Sequence, residues 1–273
     1  MNTDNNAIAF IGGGNMASAI IGGLIRQGLA PTQIEVVEPW EEARTRLQTQ
    51  FSVTAQPEAG AALARCGLVV WAVKPQTFRD AAAPVRAHAA AALHLSVAAG
   101  IRSDSIAQWL GSERIVRSMP NTPALVGKGM TALYPRPAVS DDDKAMVERV
   151  IATTGESLWV DAEEQLDAVT ALSGSGPAYV FFFLEAMTAA GMEMGLSREQ
   201  AHRLAVGTFV GASELARASD EAPEVLRQRV TSKGGTTYAA ITSMQHDGVN
   251  ALFIKALHAA RQRAKELGDE FGA

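Results

Sequence analysis

The chain predicts an α/β fold: a mostly parallel, doubly wound sheet over residues 1–160, then an all-α region over 161–273. Three observations predict it. Short apolar runs alternate with helix-spaced runs through the first part, a rhythm that builds a parallel sheet covered on both faces. After position 172 no convincing strand occurs. Between the two lies Leu172-Ser173-Gly174-Ser175-Gly176-Pro177-Ala178-Tyr179, small residues and a proline that break the chain before the apolar run Val180-Phe181-Phe182-Phe183-Leu184. Pro177 suits a first helical turn, where its missing N–H costs nothing.

The totals exclude several classes of function. With 273 residues there is chain enough for two cores, and 47% apolar with 19% charged residues is ordinary for a globular enzyme. A net charge of −5 with no basic stripe argues against a nucleic-acid partner. Met1-Asn2-Thr3-Asp4-Asn5-Asn6 lacks the order of a secretory leader, and the apolar runs are too short to span a bilayer. The expectation is a cytoplasmic protein with no membrane partner. The one cysteine, Cys66, cannot form an internal disulfide and reads as a small buried residue rather than a nucleophile, because it sits just before an apolar strand and no His accompanies it locally. His88, His94, His202, His246 and His258 show no ligand spacing, so no metal site is expected.

In order, Ala7–Ile11 reads as a strand, and Gly12-Gly13-Gly14-Asn15-Met16-Ala17 as a glycine turn into a helix with apolar residues at Ile20, Ile21, Leu24 and Ile25. Gly12, Gly14 and Ala17 match the G-x-G-x-x-G/A dinucleotide fingerprint: the first permits the tight turn, the second lets backbone approach a pyrophosphate, and the third lets helix pack on strand. Alone the triplet is weak. Ile34–Val37 supplies a second strand ending at Glu38, an acid where such folds hold the adenosine ribose. Glu41–Gln50 follows as a helix, Leu68–Val73 as a buried strand, Thr77–Ala87 as a helix, and Leu93–Val97, Ile115–Met119, Thr131–Tyr134 and Ser157–Val160 as further strands.

Ligands of such sheets bind beyond the carboxyl ends of the strands, which singles out Lys74-Pro75, Ala98-Ala99-Gly100 and Pro120-Asn121-Thr122-Pro123. Lys74 reads equally as a solvated loop lysine. Ala98–Gly100 is either the turn into the next helix or a small-residue floor for a flat ring. Asn121 either caps its own turn or faces a ligand. Their convergence on one sheet edge outweighs any one of them.

In the second part, Asp161-Ala162-Glu163-Glu164 has the form of a capping box opening a helix towards Leu172, and Ser197-Arg198-Glu199-Gln200 repeats it. Helices over Val225–Val230, Tyr238–Gln245 and Val249–Leu267 complete the region. Leu252, Ala256, Ala260 and Ala264 make a narrow edge for close helix contact. The run Val180–Leu184 is too apolar to face water, which predicts burial against a second subunit. The loop Thr231-Ser232-Lys233-Gly234-Gly235-Thr236-Thr237 is a second candidate site: its N–H groups would receive a carboxylate or phosphate. The alternative is a flexible connection with Thr236 or Thr237 as N-cap.

Together, Phe10-Ile11-Gly12-x-Gly14-Asn15-Met16-Ala17, Ala72-Val73-Lys74-Pro75, Ala98-Ala99-Gly100, Met119–Pro123, Leu172–Tyr179 and Ser232-x-Gly234-Gly235-Thr236-Thr237 resemble the motifs of the pyrroline-5-carboxylate reductases, in order and over nearly the whole chain. The resemblance implies a Rossmann-type domain, a helical dimerisation domain, a ring of dimers up to a homodecamer, and reduction of L-1-pyrroline-5-carboxylate to L-proline by NADP(H) or NAD(H). It implies that Ile11, Gly12, Gly14, Asn15, Met16, Ala17, Ala72, Val73, Lys74, Pro75, Ala98, Ala99 and Gly100 serve the cofactor, and the reading of the strand ends adds Glu38 and Asn121. It places Glu163, Gly234, Gly235, Thr236 and Thr237 at the substrate, with Thr237 catalytic. Glu38 stands where relatives that favour NADPH tend to have a small hydroxyl residue, and so leans to NADH unless Arg44 or Arg46 receives a 2′-phosphate. The rival functions are a reductase of another cyclic imine or a β-hydroxyacid, and a nucleotide sensor without turnover.

Overall fold

The structure, a computed structural model, describes residues 7–89 and 91–272. Met1–Asn6, read above for its lack of a leader, lies outside the described residues. One sheet contains β1 (Ala7–Ile11), β2 (Ile34–Val37), β3 (Ala55–Gln56), β4 (Cys66–Trp71), β5 (Leu93–Ser96), β6 (Ile115–Met119), β7 (Gly129–Pro135) and β8 (Gly155–Trp159). Their spatial order is β3-β2-β1-β4-β5-β6-β7-β8. Neighbours are parallel except β6 and β7, which run antiparallel with Arg117 opposite Tyr134. The connection over 120–128 carries only a short 3-10 turn, Thr122–Val126, too little chain for a parallel crossover.

The helices α1 (Asn15–Arg26), α2 (Glu41–Phe51), α3 (Pro75–Arg86), α4 (Ser103–Leu110) and α5 (Asp141–Ile151) cover the sheet. Along β4, Leu68 and Val70 enter a core with Ile20, Leu47 and Ile151, while Val69 and Trp71 enter another with Phe78, Val85 and Ile106. A strand apolar at every position is what burial on both faces demands. The sequence reading missed β3 and α5 and gave α4 no bounds. β3 is two residues long, α4 eight, and α5 is started by Ser140 with Asp143 in the place of the usual Glu or Gln: Ser140 Oγ accepts from the Asp143 N–H at 3.2 Å and Asp143 Oδ2 from the Ser140 N–H at 3.1 Å.

Next come α6 (Gln165–Val169), a π-helical turn over Thr170–Gly174, then α7 (Gly176–Glu193), α8 (Arg198–Arg217), α9 (Pro223–Arg229), α10 (Thr236–His246) and α11 (Val249–Phe271). The expected capping box at Asp161–Glu164 does not form. Gln165 Oε1 instead takes the N–H groups of Asp161 and Ala162, at 2.9 and 3.0 Å, and the helix starts at Gln165. The box at Ser197 does form, with Ser197 Oγ accepting from Gln200 N–H and Gln200 Oε1 from Ser197 N–H.

Packing divides the chain into two compact units. One comprises the chain up to Ser175 together with the stretch from Ala260 onward; the other is Gly176–Ala259. The boundary read at 160/161 follows the last strand instead. In the second unit Tyr179 and Phe183 set their rings edge-on against Phe253, both at 5.7 Å between centroids. The run Val180–Leu184 is not covered within one chain: Phe181 is 59% and Phe182 68% exposed. Of the small-residue edge on α11, Ala264 is buried and Leu252 lies open.

Candidate cofactor and substrate sites

The chain runs from β1 outward to β3, then crosses to β4 on the other side of β1, so the connections leaving β1 and β4 diverge and open a crevice at their carboxyl ends. Gly12 sits there at φ +96° with its N–H on the Val37 carbonyl at 2.8 Å. A Cβ on it would stand 2.6 Å from the Ala72 carbonyl oxygen, so both backbone angle and space demand glycine. Gly14 caps α1 with no side-chain hydrogen bond, and a Cβ on Gly14 would meet nothing within 4 Å. No acid occupies the first turn of α1. Its free N–H groups and positive dipole end therefore face open space, an anion receptor.

A cavity of about 710 Å³ adjoins this turn, and Ile11, Gly12, Gly14, Glu38, Ala72, Val73 and Lys74 all line it. Asn15, Met16 and Ala17 form the first turn of α1, with Ala17 wholly buried against the sheet. Lys74 is the N-cap of α3 and Pro75 its first residue. Lys74 is solvated and at the crevice at once, so its two readings do not exclude each other. Ala98, Ala99 and Gly100 follow β5 at the same sheet edge, Ala98 buried and Ala99 exposed.

Glu38 is 6% exposed, and its carboxylate already accepts two backbone N–H groups, Gly13 on Oε2 at 2.7 Å and Trp40 on Oε1 at 2.9 Å. It thus shapes the glycine turn as well as lining the cavity. Both arginines of α2 named above stand beside it: Arg44 donates to the Glu38 and Pro39 carbonyls, Arg46 to the Gly13 carbonyl at 3.0 Å. Sequence reasoning missed Trp40, a cavity-lining aromatic left 75% exposed. The available signal was a large ring placed directly after the turn that ends β2.

Glu163 has a different setting. Its Oε1 accepts from the buried Arg117 guanidinium at 2.9 Å and the Ser103 N–H at 2.6 Å, and its Oε2 from the Ser103 hydroxyl at 2.5 Å. Arg136 donates in turn to Ser103 Oγ at 3.1 Å. A buried charge must be paired and hydrogen-bonded, and Arg117 on β6 meets its match in Glu163. Arg117, the lone charge in Ile115-Val116-Arg117-Ser118-Met119, was the overlooked signal. Asn121 does not cap its own turn: its Oδ1 takes the Met130 N–H at 2.9 Å, and its amide donates to Ser173 Oγ at 3.1 Å, tying β7 to the π turn.

In the second unit, α10 starts at Thr236 with Gly235 as N-cap and no side-chain cap, and no acid lies in its first turn. Thr236 and Thr237 are the first helical residues, not caps. Gly234 has φ +77°, and the Gly235 N–H turns back to the Ser232 carbonyl at 3.0 Å. The N-terminal N–H groups of α10 thus form a second anion receptor, with the half-buried Thr237 hydroxyl beside it.

Cys66 opens β4 as a buried thiol. Burial, and secondarily the Glu35 charge, push its pKa up to about 11, so it stays protonated at neutral pH. Among the described residues no cluster of His, Cys, Asp and Glu is placed to hold a metal, and no helix is long and apolar enough to cross a membrane.

Comparison with known proteins joins the two regions. The family model described as pyrroline-5-carboxylate reductase dimerisation matches residues 163–267, and that described as NADP oxidoreductase, coenzyme F420-dependent, matches residues 7–100. The chain is 45% identical to the pyrroline-5-carboxylate reductase of Pseudomonas aeruginosa over 97% of this chain and 98% of that one. It is 36% identical to that of Escherichia coli, over 95% and 97%. The solved pyrroline-5-carboxylate reductase of Coxiella burnetii superposes with a TM-score of 0.89 at 38% identity, over 97% and 99% of the two chains. That of Plasmodium falciparum, with NADP bound, superposes at 0.86 and 28% identity over the same shares. The chain therefore belongs to the pyrroline-5-carboxylate reductase family and is an NAD(P)-dependent oxidoreductase of that family.

Proposed function

We propose that the chain reduces L-1-pyrroline-5-carboxylate to L-proline, with Gly12–Ala17, Glu38, Ala72–Pro75, Ala98–Gly100 and Asn121 serving the dinucleotide and Glu163 and Gly234–Thr237 serving the substrate. The observation that supports it is the pair of long helices that each start after glycine with no side-chain cap, α1 at the sheet crevice and α10 in the helical unit. One suits a pyrophosphate, the other a carboxylate. When bound, the reduced nicotinamide supplies hydride to the imine carbon.

The chain's own part is to hold and orient. The N–H groups of α1 grip the pyrophosphate, and Glu38 accepts ribose hydroxyls. The Gly234–Gly235 turn and α10 fix the substrate carboxylate and restrict the ring; orientation of this kind lowers a barrier by roughly 7–11 kcal/mol. The Thr237 hydroxyl hydrogen-bonds the ring nitrogen, which grows more basic as the double bond is reduced; the one proton that balances the hydride arrives with the substrate as its iminium or from water, directly or through that hydroxyl. Thr237→Val is expected to lower kcat about 10- to 100-fold, followed by nicotinamide absorbance, with cofactor affinity unchanged. Wild-type turnover in that variant removes the threonine from the mechanism.

Glu38 favours NADH, because a carboxylate repels a 2′-phosphate; Arg44 and Arg46 stand ready to receive one when that carboxylate is gone. Glu38→Ser should shift the ratio of kcat/KM for NADPH over NADH about tenfold upward. An unchanged ratio defeats the role given to Glu38. The helical unit pairs with that of a second copy to make a homodimer, and dimers close into a decameric ring. With a single buried thiol, the enzyme suits the cytoplasm.

A further inference from the structure

The last turns of α11 rest on the loop that follows β5. Gly100 has φ +72°, and a Cβ on it would lie 3.2 Å from the Leu267 Cβ, so the loop backbone lies directly on the helix. Arg102 donates to Asp269 at 2.7 Å, the Ser105 hydroxyl donates to the Gly272 carbonyl at 2.9 Å, and Phe271 packs against the core beneath α3 and α4. The Arg102 guanidinium lies over Gly268, within ordinary contact distance of a Cβ placed there, 3.4 Å. From another direction Glu163 holds the Ser103 N–H and hydroxyl. Positions 100–105 are thus pinned by two outside elements, while the Ala99 side chain stays open.

We infer that residues 267–272 are a positioning element for the dinucleotide: by seating Gly100, Arg102 and Ser105 they hold the Ala98–Gly100 loop in the form that receives the cofactor. The inference rests on the assignment of that loop to the cofactor made above. Loops are the mobile parts of a fold; this one is anchored in the core by Ala98 before it and Ile101 after it, but Ala99 and Gly100 between them offer no buried side chain to fix the backbone. The Ala98 N–H reaches Ser96 Oγ only at 3.3 Å. The Arg102–Asp269 pair is partly exposed and contributes little to global stability, so removing it loosens the loop without unfolding the sheet.

The test is equilibrium binding of NADH and NADPH to the full chain, followed by nicotinamide fluorescence, together with KM and kcat for both substrates. Three variants are compared: Asp269→Ala, Phe271→Ala, whose ring Cδ2 would stand 3.5 Å from a Cβ on Gly100, and a chain ended after Glu266. The shortened chain should bind both dinucleotides about tenfold more weakly and the two point variants about threefold, with KM for pyrroline-5-carboxylate within about twofold of wild type. If the shortened chain fails to fold, the point variants decide. Ala99→Leu fills the open side of the loop and separates the two assignments. Weak binding by Ala99→Leu with normal binding by all the folded α11 variants overturns the positioning role alone. Normal binding by Ala99→Leu as well overturns the assignment of the loop to the cofactor, and the positioning role with it.

Discussion

The two units contain greasy side chains in similar proportion and treat them in opposite ways. In the sheet unit Phe10, Trp71 and Phe78 are wholly buried, enclosed by helices on both sides of one layer. In the helical unit Phe181, Phe182, Leu204, Leu215 and Leu252 lie open, each more than half exposed. The sheet unit completes its core within one chain. The helical unit does not, and a surface so apolar needs another to cover it. Residues 163–267, which include this unit, match the family model described as pyrroline-5-carboxylate reductase dimerisation, and a second copy is the cover proposed above.

The sheet unit should therefore yield to changes within a single chain, and the helical unit to changes that act between chains. The largest effect is expected from Trp71→Ala. Trp71 stacks on Phe78 at 4.6 Å between centroids and donates through Nε1 to His94 Nδ1 at 3.1 Å. Its loss should cost about 4 kcal/mol in urea unfolding. A cost under about 1 kcal/mol would show that the sheet core is not the tightly packed body described.

Acid should come next. Burial, and secondarily the Arg114 charge, lower the His94 pKa to about 4, from 6.5 in its ordinary state. Between those values the unfolded chain binds a proton that the folded chain refuses. Stability is thus full above pH 6.5 and falls as the pH drops towards 4, by up to about 3 kcal/mol from this residue. His94→Gln, measured beside wild type in urea from pH 7 to 4, should lose that part of the pH dependence. Parallel curves for the two proteins would remove His94 as its source.

The smallest change in sheet-unit stability is expected where a single chain looks most greasy. Phe181→Asp with Phe182→Asp should leave the sheet unit's unfolding within about 0.5 kcal/mol of wild type, because both rings are already in water in one chain. All four tryptophans lie in the sheet unit, so their fluorescence reports on it alone. The same variant should sediment as a single chain. A dimer of normal strength would sharpen the comparison by moving the contact to another face of the unit.

Much of this was legible locally. β1, β2 and β6 have the bounds that their apolar runs suggest, and the glycine turn lies at the crevice its spacing implies. What escaped was non-local. Nothing near Glu163 reveals Arg117, so a helix-capping pattern concealed an ion pair joined across the fold. Two-residue β3 has too little pattern to read, and the antiparallel β7 follows from the shortness of its connection rather than from its composition. The run Val180–Leu184 was readable as needing cover, but apolarity alone does not say which chain supplies it.

The seat of Gly100 on α11 also bears on the order in which the molecule is made. Arg102 and Asp269 are 167 positions apart, and so are Ser105 and Gly272. Closing so long a stretch costs entropy that short-range pairings do not incur, so these contacts form late, once the sheet has condensed. The glycine turn, built from short-range pairings, is therefore expected to set before the loop after β5 is seated on the helix. Competence to hold the dinucleotide would then arrive in two steps, the second waiting on the far end of the helix.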